Sequence, residues 1–278
     1  MSGGERLCRA WRVTRTDGVR FGFTDHDRDL GWEGTVFRAG TGLSAGQLEL
    51  STGLSVDNAA AAGALSDAGI TEADIAAGRF DGASVEMWEL DWAAPDGRRL
   101  AFRGSFGEVT RGAGGFEVEL RGLAEALNRP MGRVFQSVCP AVLGGAECGF
   151  DLSAPGFSAE AAIEAVLDDG LVLRFAGGLS LPSRRLERGA ARVLDGAAAG
   201  LEARVKTDRL GDGVREVGLW APFGAAPAAG DRVRLTAGCD KRIETCAGVF
   251  GNAANFRGFP DLPGEDWLMR VPVPEDAA

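Results

Sequence analysis

Two pairs of cysteines, set far apart, constrain this chain more than any other feature. Cys139 and Cys148 lie in CPAVLGGAECGF, and Cys239 and Cys246 lie in GCDKRIETCAGVFGN. Each pair sits in a turn-rich segment, and about ninety residues separate the two. A fold that gathers all four thiols must tie together the ends of that long stretch. The rest of the chain offers little catalytic equipment: one histidine, two lysines (Lys206 and Lys241) and no tyrosine.

At 278 residues the chain has room for two domains of ordinary size. Its formal charge of −10 argues against tracking phosphate backbones, which needs clustered Lys and Arg. The opening MSGGERLCRAWRV lacks an apolar core of signal-peptide length, and no stretch has the length of a membrane span. The expectation is folding in a reducing cytoplasm, where paired cysteines serve as metal ligands or redox groups rather than structural disulfides. Cys8, in a strand-like run, reads as a buried core thiol.

The pattern is mainly β with short helices. Residues 9–15 and 18–24 alternate around the turn Thr16-Asp17-Gly18, and 47–55 and 83–91 read as further strands. RRLAFRGSFGEVTR and FEVELRG, joined through Gly112–Gly115, read as a hairpin. Helices are few: an alanine-rich run at 58–66, a short one opened by Thr71 as N-cap with Asp74 three residues on, and another over 122–127 stopped before Pro130. Farther on, 160–175 reads as two strands joined at Asp168-Asp169-Gly170, with an alanine-rich start that also fits a helix, and 189–206, 214–220 and RVRLTAG add more. The tail from Asn255 reads as a loop packed by Phe256, Phe259 and Trp267. The expected division is a β-rich domain over 1–128 and a second β domain over 129–278 that carries both cysteine pairs.

Thiolates are soft ligands that suit iron–sulfur clusters, zinc or copper(I). Zinc knuckles keep each pair two to four residues apart, whereas eight residues lie between Cys139 and Cys148 and six between Cys239 and Cys246. Wider loops favour a larger object, and Gly144, Gly145, Gly149, Gly238 and Gly248 would let backbone amides approach sulfur. A redox disulfide and plain core thiols stay open on spacing alone.

Other candidates carry less. His26 sits between Asp25 and Asp27, yet no G-x-S-x-G, H-E-x-x-H or Cys–His arrangement accompanies it. The Asp and Arg residues around it read as fixing a loop through side-chain-to-backbone bonds. Lys206-Thr207 lacks the glycine of a phosphate loop, and RGAGG reads as a hairpin turn. Asn252, Asn255, Phe256, Arg257 and Phe259 could present a nucleic-acid surface, but the aromatics read better as a cover over the thiol site. A single histidine leaves little from which to build a cell-wall hydrolase, so the expectation is no enzyme.

Several runs together resemble one family. These are GFTDHDRDL near the start, CPAVLGGAECGFDLSAPGF, and AGDRVRLTAGCDKRIETCAGVFGNAANFRGFPDLPGED. They are similar to the baseplate hub proteins of tailed phages and gene transfer agents, over most of the chain. The pair pattern also resembles the tail-tip protein L of lambda-like phages, although the long insertion between Cys148 and Cys239 departs from it. The resemblance implies a [4Fe–4S] cluster on Cys139, Cys148, Cys239 and Cys246, with zinc as the alternative metal. It further implies a homotrimeric ring that closes the tail tube and assembles in the bacterial cytoplasm into a virion baseplate. The implied partners are the distal tail protein, the host-facing tip protein of the megatron type and the tail's cell-wall peptidase. DNA would pass through the ring without sequence-specific contact. The runner-up reading is an iron–sulfur electron-transfer or redox-sensing protein, and a third is a zinc-stabilised binding module.

Overall fold

In the computed structural model, residues 6–40, 43–45, 58–64, 71–112, 115–122, 132–177 and 179–263 are described. The chain divides into two compact units, Met1–Met131 and Gly132–Ala278. Among the described residues the architecture is mainly β, as expected, with two short α-helices. No described helix is long and apolar enough to cross a membrane.

The first unit holds strands β1 (Leu7–Thr14), β2 (Arg20–Thr24), β3 (Leu30–Trp32), β4 (Thr35–Ala39), β5 (Leu43–Ala45), β6 (Asn58–Ala64), β7 (Ser84–Asp91), β8 (Arg99–Gly112) and β9 (Gly115–Gly122). They form one sheet in the order β3-β4-β2-β1-β7-β8-β9-β6-β5. In β1 and β7 the buried positions shift phase midway: Cys8 and Ala10, then Trp11 and Val13; Val85 and Met87, then Trp88 and Leu90. Successive side chains point to opposite faces, so the shift moves the core from one face to the other. The result is two clusters, one around Trp11, Met87 and Phe102, the other around Phe37, Trp88 and Leu90. The β7–β8 ladder has its irregularity at Met87/Trp88, where the phase changes.

Helix α1 (Glu72–Ala76) starts as its sequence predicts. Thr71 Oγ1 accepts from the Asp74 amide at 3.1 Å and donates to its carboxylate at 2.8 Å. The alanine-rich run is instead strand β6, paired with β9 from Asn58↔Arg121 to Ala64↔Gly115. Seven backbone pairings with a neighbouring strand override alanine's helical preference. The expected strand at 47–55 and helix at 122–127 lie outside the described residues, apart from Gly122, which ends β9.

The second unit holds β10 (Ser158–Ala162), β11 (Ala165–Leu167), β12 (Val172–Ala176), β13 (Ala190–Val193), β14 (Glu202–Gly211), β15 (Val214–Leu219) and β16 (Arg232–Thr236). Their order is β10-β16-β13-β14-β15-β12-β11. The two outermost strands are one stretch of chain. Between them, the Ile163 amide donates to Asp231 O at 2.9 Å on one side and the Glu164 amide to Arg174 O at 2.8 Å on the other. The sheet therefore comes round on itself as a small barrel, which removes free strand edges.

The barrel interior is packed by Leu173, Phe175, Leu186, Val205, Val217, Val233 and Leu235, all fully buried. Arg215 is fully buried too. It makes two bonds to Asp208, at 2.7 and 2.6 Å, and donates to Leu181 O and Pro182 O. Two expectations change here. Residues 158–176 are three strands rather than two, because the alanine-rich start splits at Ile163 between two partners. The run 189–206 breaks after Val193, where Gly196 and Gly200 take positive φ in a turn.

Candidate metal centre

The barrel explains how distant cysteines meet. Its first and last strands pair, with Ser158 opposite Thr236. The Ala237 amide extends that ladder to Phe157 O at 2.7 Å. The ninety-residue insertion thus enters and leaves at one place, and closing that loop is done by the barrel rather than by the thiols. Beyond the barrel mouth, the Cys139 amide donates to Lys241 O at 2.9 Å, setting the first pair against the second.

Each pair is shaped locally. The loop after Cys139 tightens through turn bonds from the Gly145 amide to Val142 O and from the Cys148 amide to Gly145 O, both 3.0 Å. Cys246 lies on helix α2 (Ile243–Gly248) and is buried. Asp240 opens that helix: one carboxylate oxygen accepts the Arg242 amide at 3.1 Å and the other the Thr245 hydroxyl at 2.8 Å.

All four thiols line one small pocket, with Ala141, Leu143, Phe250 and Phe256 as apolar walls and Lys241, Arg242, Asn252 and Asn255 as polar ones. The Lys241 amide approaches Cys239 Sγ at 3.3 Å. Asn252 Nδ2 donates to Cys148 O at 2.8 Å and lies 3.5 Å from its sulfur, while Asn255 holds the Asn252 amide oxygen at 2.8 Å. Burial pushes the Cys239 thiol above its ordinary range, with Lys241 opposing the shift. Cys246 is raised by burial and then by the neighbouring Cys239, Cys139 and Cys148. Both shifts disfavour the thiolates of Cys239 and Cys246 until a cation offsets their charge. Among the described residues no three His, Cys, Asp or Glu side chains group as ligands of a metal ion. The four thiols share the lining of one pocket, and four soft sulfur donors fit a metal cluster or a tetrahedral ion.

The amide that approaches Cys239 Sγ is that of Lys241. The Gly145, Gly149 and Gly238 amides donate to backbone carbonyls instead. Gly238 donates to Arg185 O at 3.0 Å, and a β-carbon there would lie 1.8 Å from Glu187 O, so its role is close packing at the barrel mouth. Phe256 lines the pocket as expected, whereas Phe259 packs on Phe135 at 4.8 Å. Trp267 lies outside the described residues. Phe250, which stacks edge-on to Phe150 at 5.0 Å, and Lys241 are site residues that the sequence pattern does not single out. Lys241 had a signal: it is one of two lysines in a chain with 28 arginines.

The remaining candidates are structural. His26 Nδ1 accepts the Arg28 amide at 3.0 Å, Asp25 accepts the Arg9 amide at 2.7 Å, and Asp29 accepts the Ala39 amide at 2.8 Å. Together they fix the loop between β2 and β3. Cys8 is buried in the first unit, and burial pushes its thiol up to about 11.

Comparison with known proteins follows the same lines. The family described as "Baseplate hub protein, N-terminal attachment domain" matches residues 2–151. The family described as "Phage conserved hypothetical protein BR0599" matches residues 184–266. A chain in a solved structure, "Virion of native gene transfer agent (GTA) particle", is 51% identical with a TM-score of 0.91. The match covers all of this chain and 95% of that one. No curated protein matches.

Proposed function

The chain belongs to the baseplate hub family of virion tails, and from that premise we propose that it is the hub that closes the tail tube of a gene transfer agent. One observation carries the reading: 51% identity over the whole chain with a chain of a native gene transfer agent virion. The role is structural, in the virion tail baseplate. In the finer reading the chain forms a homotrimeric ring, joins the distal tail protein to the host-facing tip protein and the cell-wall peptidase, and lets DNA pass through.

The same reading gives Cys139, Cys148, Cys239 and Cys246 a [4Fe–4S] cluster to hold. Bound there, the cluster supplies four iron–thiolate bonds that cross-link the segments on either side of the barrel. Lys241 and Arg242 bring positive charge to the pocket, Asn252 and the Lys241 amide supply donors toward sulfur, and Phe250 and Phe256 keep water from it. Four thiolates saturate such a cluster and leave no open position for a substrate, which suits a staple rather than a catalyst.

Deletion of the chain's gene in producing cells tests the hub role. The expected result is tails without a closed baseplate and loss of DNA delivery, seen by electron microscopy and a transfer assay. Particles with intact baseplates and normal delivery would overturn it.

A further inference from the structure

Lys241 occupies a backbone position that does not favour lysine. Its φ is 68°, a left-handed conformation that costs any residue carrying a β-carbon and that glycine adopts freely. The cost is met by what three parts of the residue touch. Its ammonium donates to the carbonyl of buried Ala141, 100 positions away in sequence. Its own carbonyl accepts the Cys139 amide at 2.9 Å, and its amide lies 3.3 Å from Cys239 Sγ. The backbone contacts would survive a change of side chain, but the bond to Ala141 would not. That bond is the one side-chain tie among these contacts that runs from the second cysteine segment into the loop between Cys139 and Cys148.

We propose that Lys241 is a positioning residue, a latch whose side chain holds the two cysteine segments together before any metal arrives. The proposal rests on reading the four thiols as one metal centre and names the residue that preassembles it. A hydrogen bond from a charged donor to a buried carbonyl is stronger than a neutral one. Ordering the thiols in advance removes part of the entropy that metal binding would otherwise have to overcome.

The test uses the full chain, reduced and stripped of metal. A short bifunctional maleimide joins a thiol of the first pair to one of the second, and mass spectrometry of the digest reads the rate. Lys241→Met should slow joining about tenfold, since a hydrogen bond from a charged group governs that much of the population. Lys241→Arg, which keeps a cation able to reach the carbonyl, should restore it. Lys241→Gly separates the latch from the turn: it relaxes the backbone and removes the side chain, so the latch predicts slow joining. Circular dichroism checks that each variant keeps its β structure, and Lys241→Gly serves if Lys241→Met does not fold. Joining at the wild-type rate in both Lys241→Met and Lys241→Gly would overturn the proposal. Iron uptake by the same wild-type sample is read separately. Fast, lysine-dependent joining with no iron uptake would defeat the cluster reading and leave the latch standing.

Discussion

Within the second unit two regions are held by different physics. The barrel, residues 158–236, is a closed sheet around fully buried aliphatic and aromatic side chains. Each such side chain contributes roughly 1.5–3 kcal/mol on burial. The cysteine lobe, residues 132–157 and 237–263, contains no strand and one α-helix of six residues. Its buried residues are Ala141, Cys148, Ala237, Cys246 and Phe250. One large apolar side chain cannot form a core, and two of the five buried residues are the cysteines themselves. The cluster proposed for the four thiols would supply a cross-link there, and a structural metal site contributes about 10 kcal/mol or more. The barrel supplies what the lobe lacks in return: a rigid mouth where residues 157 and 237 meet.

Substitutions can break this division. The largest effect is expected from Cys246→Ser. Hydrogen exchange should show the lobe's amides losing protection while those of the barrel stay slow. Simultaneous loss of both would mean that the two regions are one cooperative unit. Arg215→Met strikes the other side by leaving Asp208 buried without its partner, at a cost of about 3–5 kcal/mol. It should lower the barrel's midpoint in urea without changing metal content per folded chain. Phe250→Ala removes the one large buried apolar side chain of the lobe and should cost about 3 kcal/mol. The lifetime of the loaded site in air should shorten with it, and an unchanged lifetime would remove Phe250 from the shielding role. The smallest effect is on pH. Cys239 and Cys246 are held above the ordinary thiol range, so without metal both stay protonated at neutral pH, and metal must displace those protons. Apparent metal affinity, read by chelator competition, should therefore rise as pH rises from neutrality toward the thiol range. A flat profile would mean that the thiols are not the ligands.

The two regions also differed in how far their sequence revealed them. The lobe's four cysteines stand out because thiol pairs with glycine-rich flanks are rare and carry their chemistry in residue type. The residues that hold them do not: Lys241 acts through a left-handed backbone, and Asn252 through a carbonyl more than a hundred positions away. In the barrel, β15 and β16 were legible in the runs 214–220 and RVRLTAG, whereas β14 was merged with β13 into one run. Closure was not legible, because it depends on Ile163 and Glu164 handing one strand from β16 to β12. Nothing local marks that exchange. Alanine misled at 58–64 for the related reason that pairing with β9, not propensity, decides the backbone there.

The most direct test of a lobe held by a thiolate-bound cluster is iron and acid-labile sulfide per chain in protein purified without oxygen. About four of each are expected, as a cubane cluster on four cysteines requires. Protein without iron or sulfide, whose lobe amides are nevertheless as protected as those of the barrel, would contradict it.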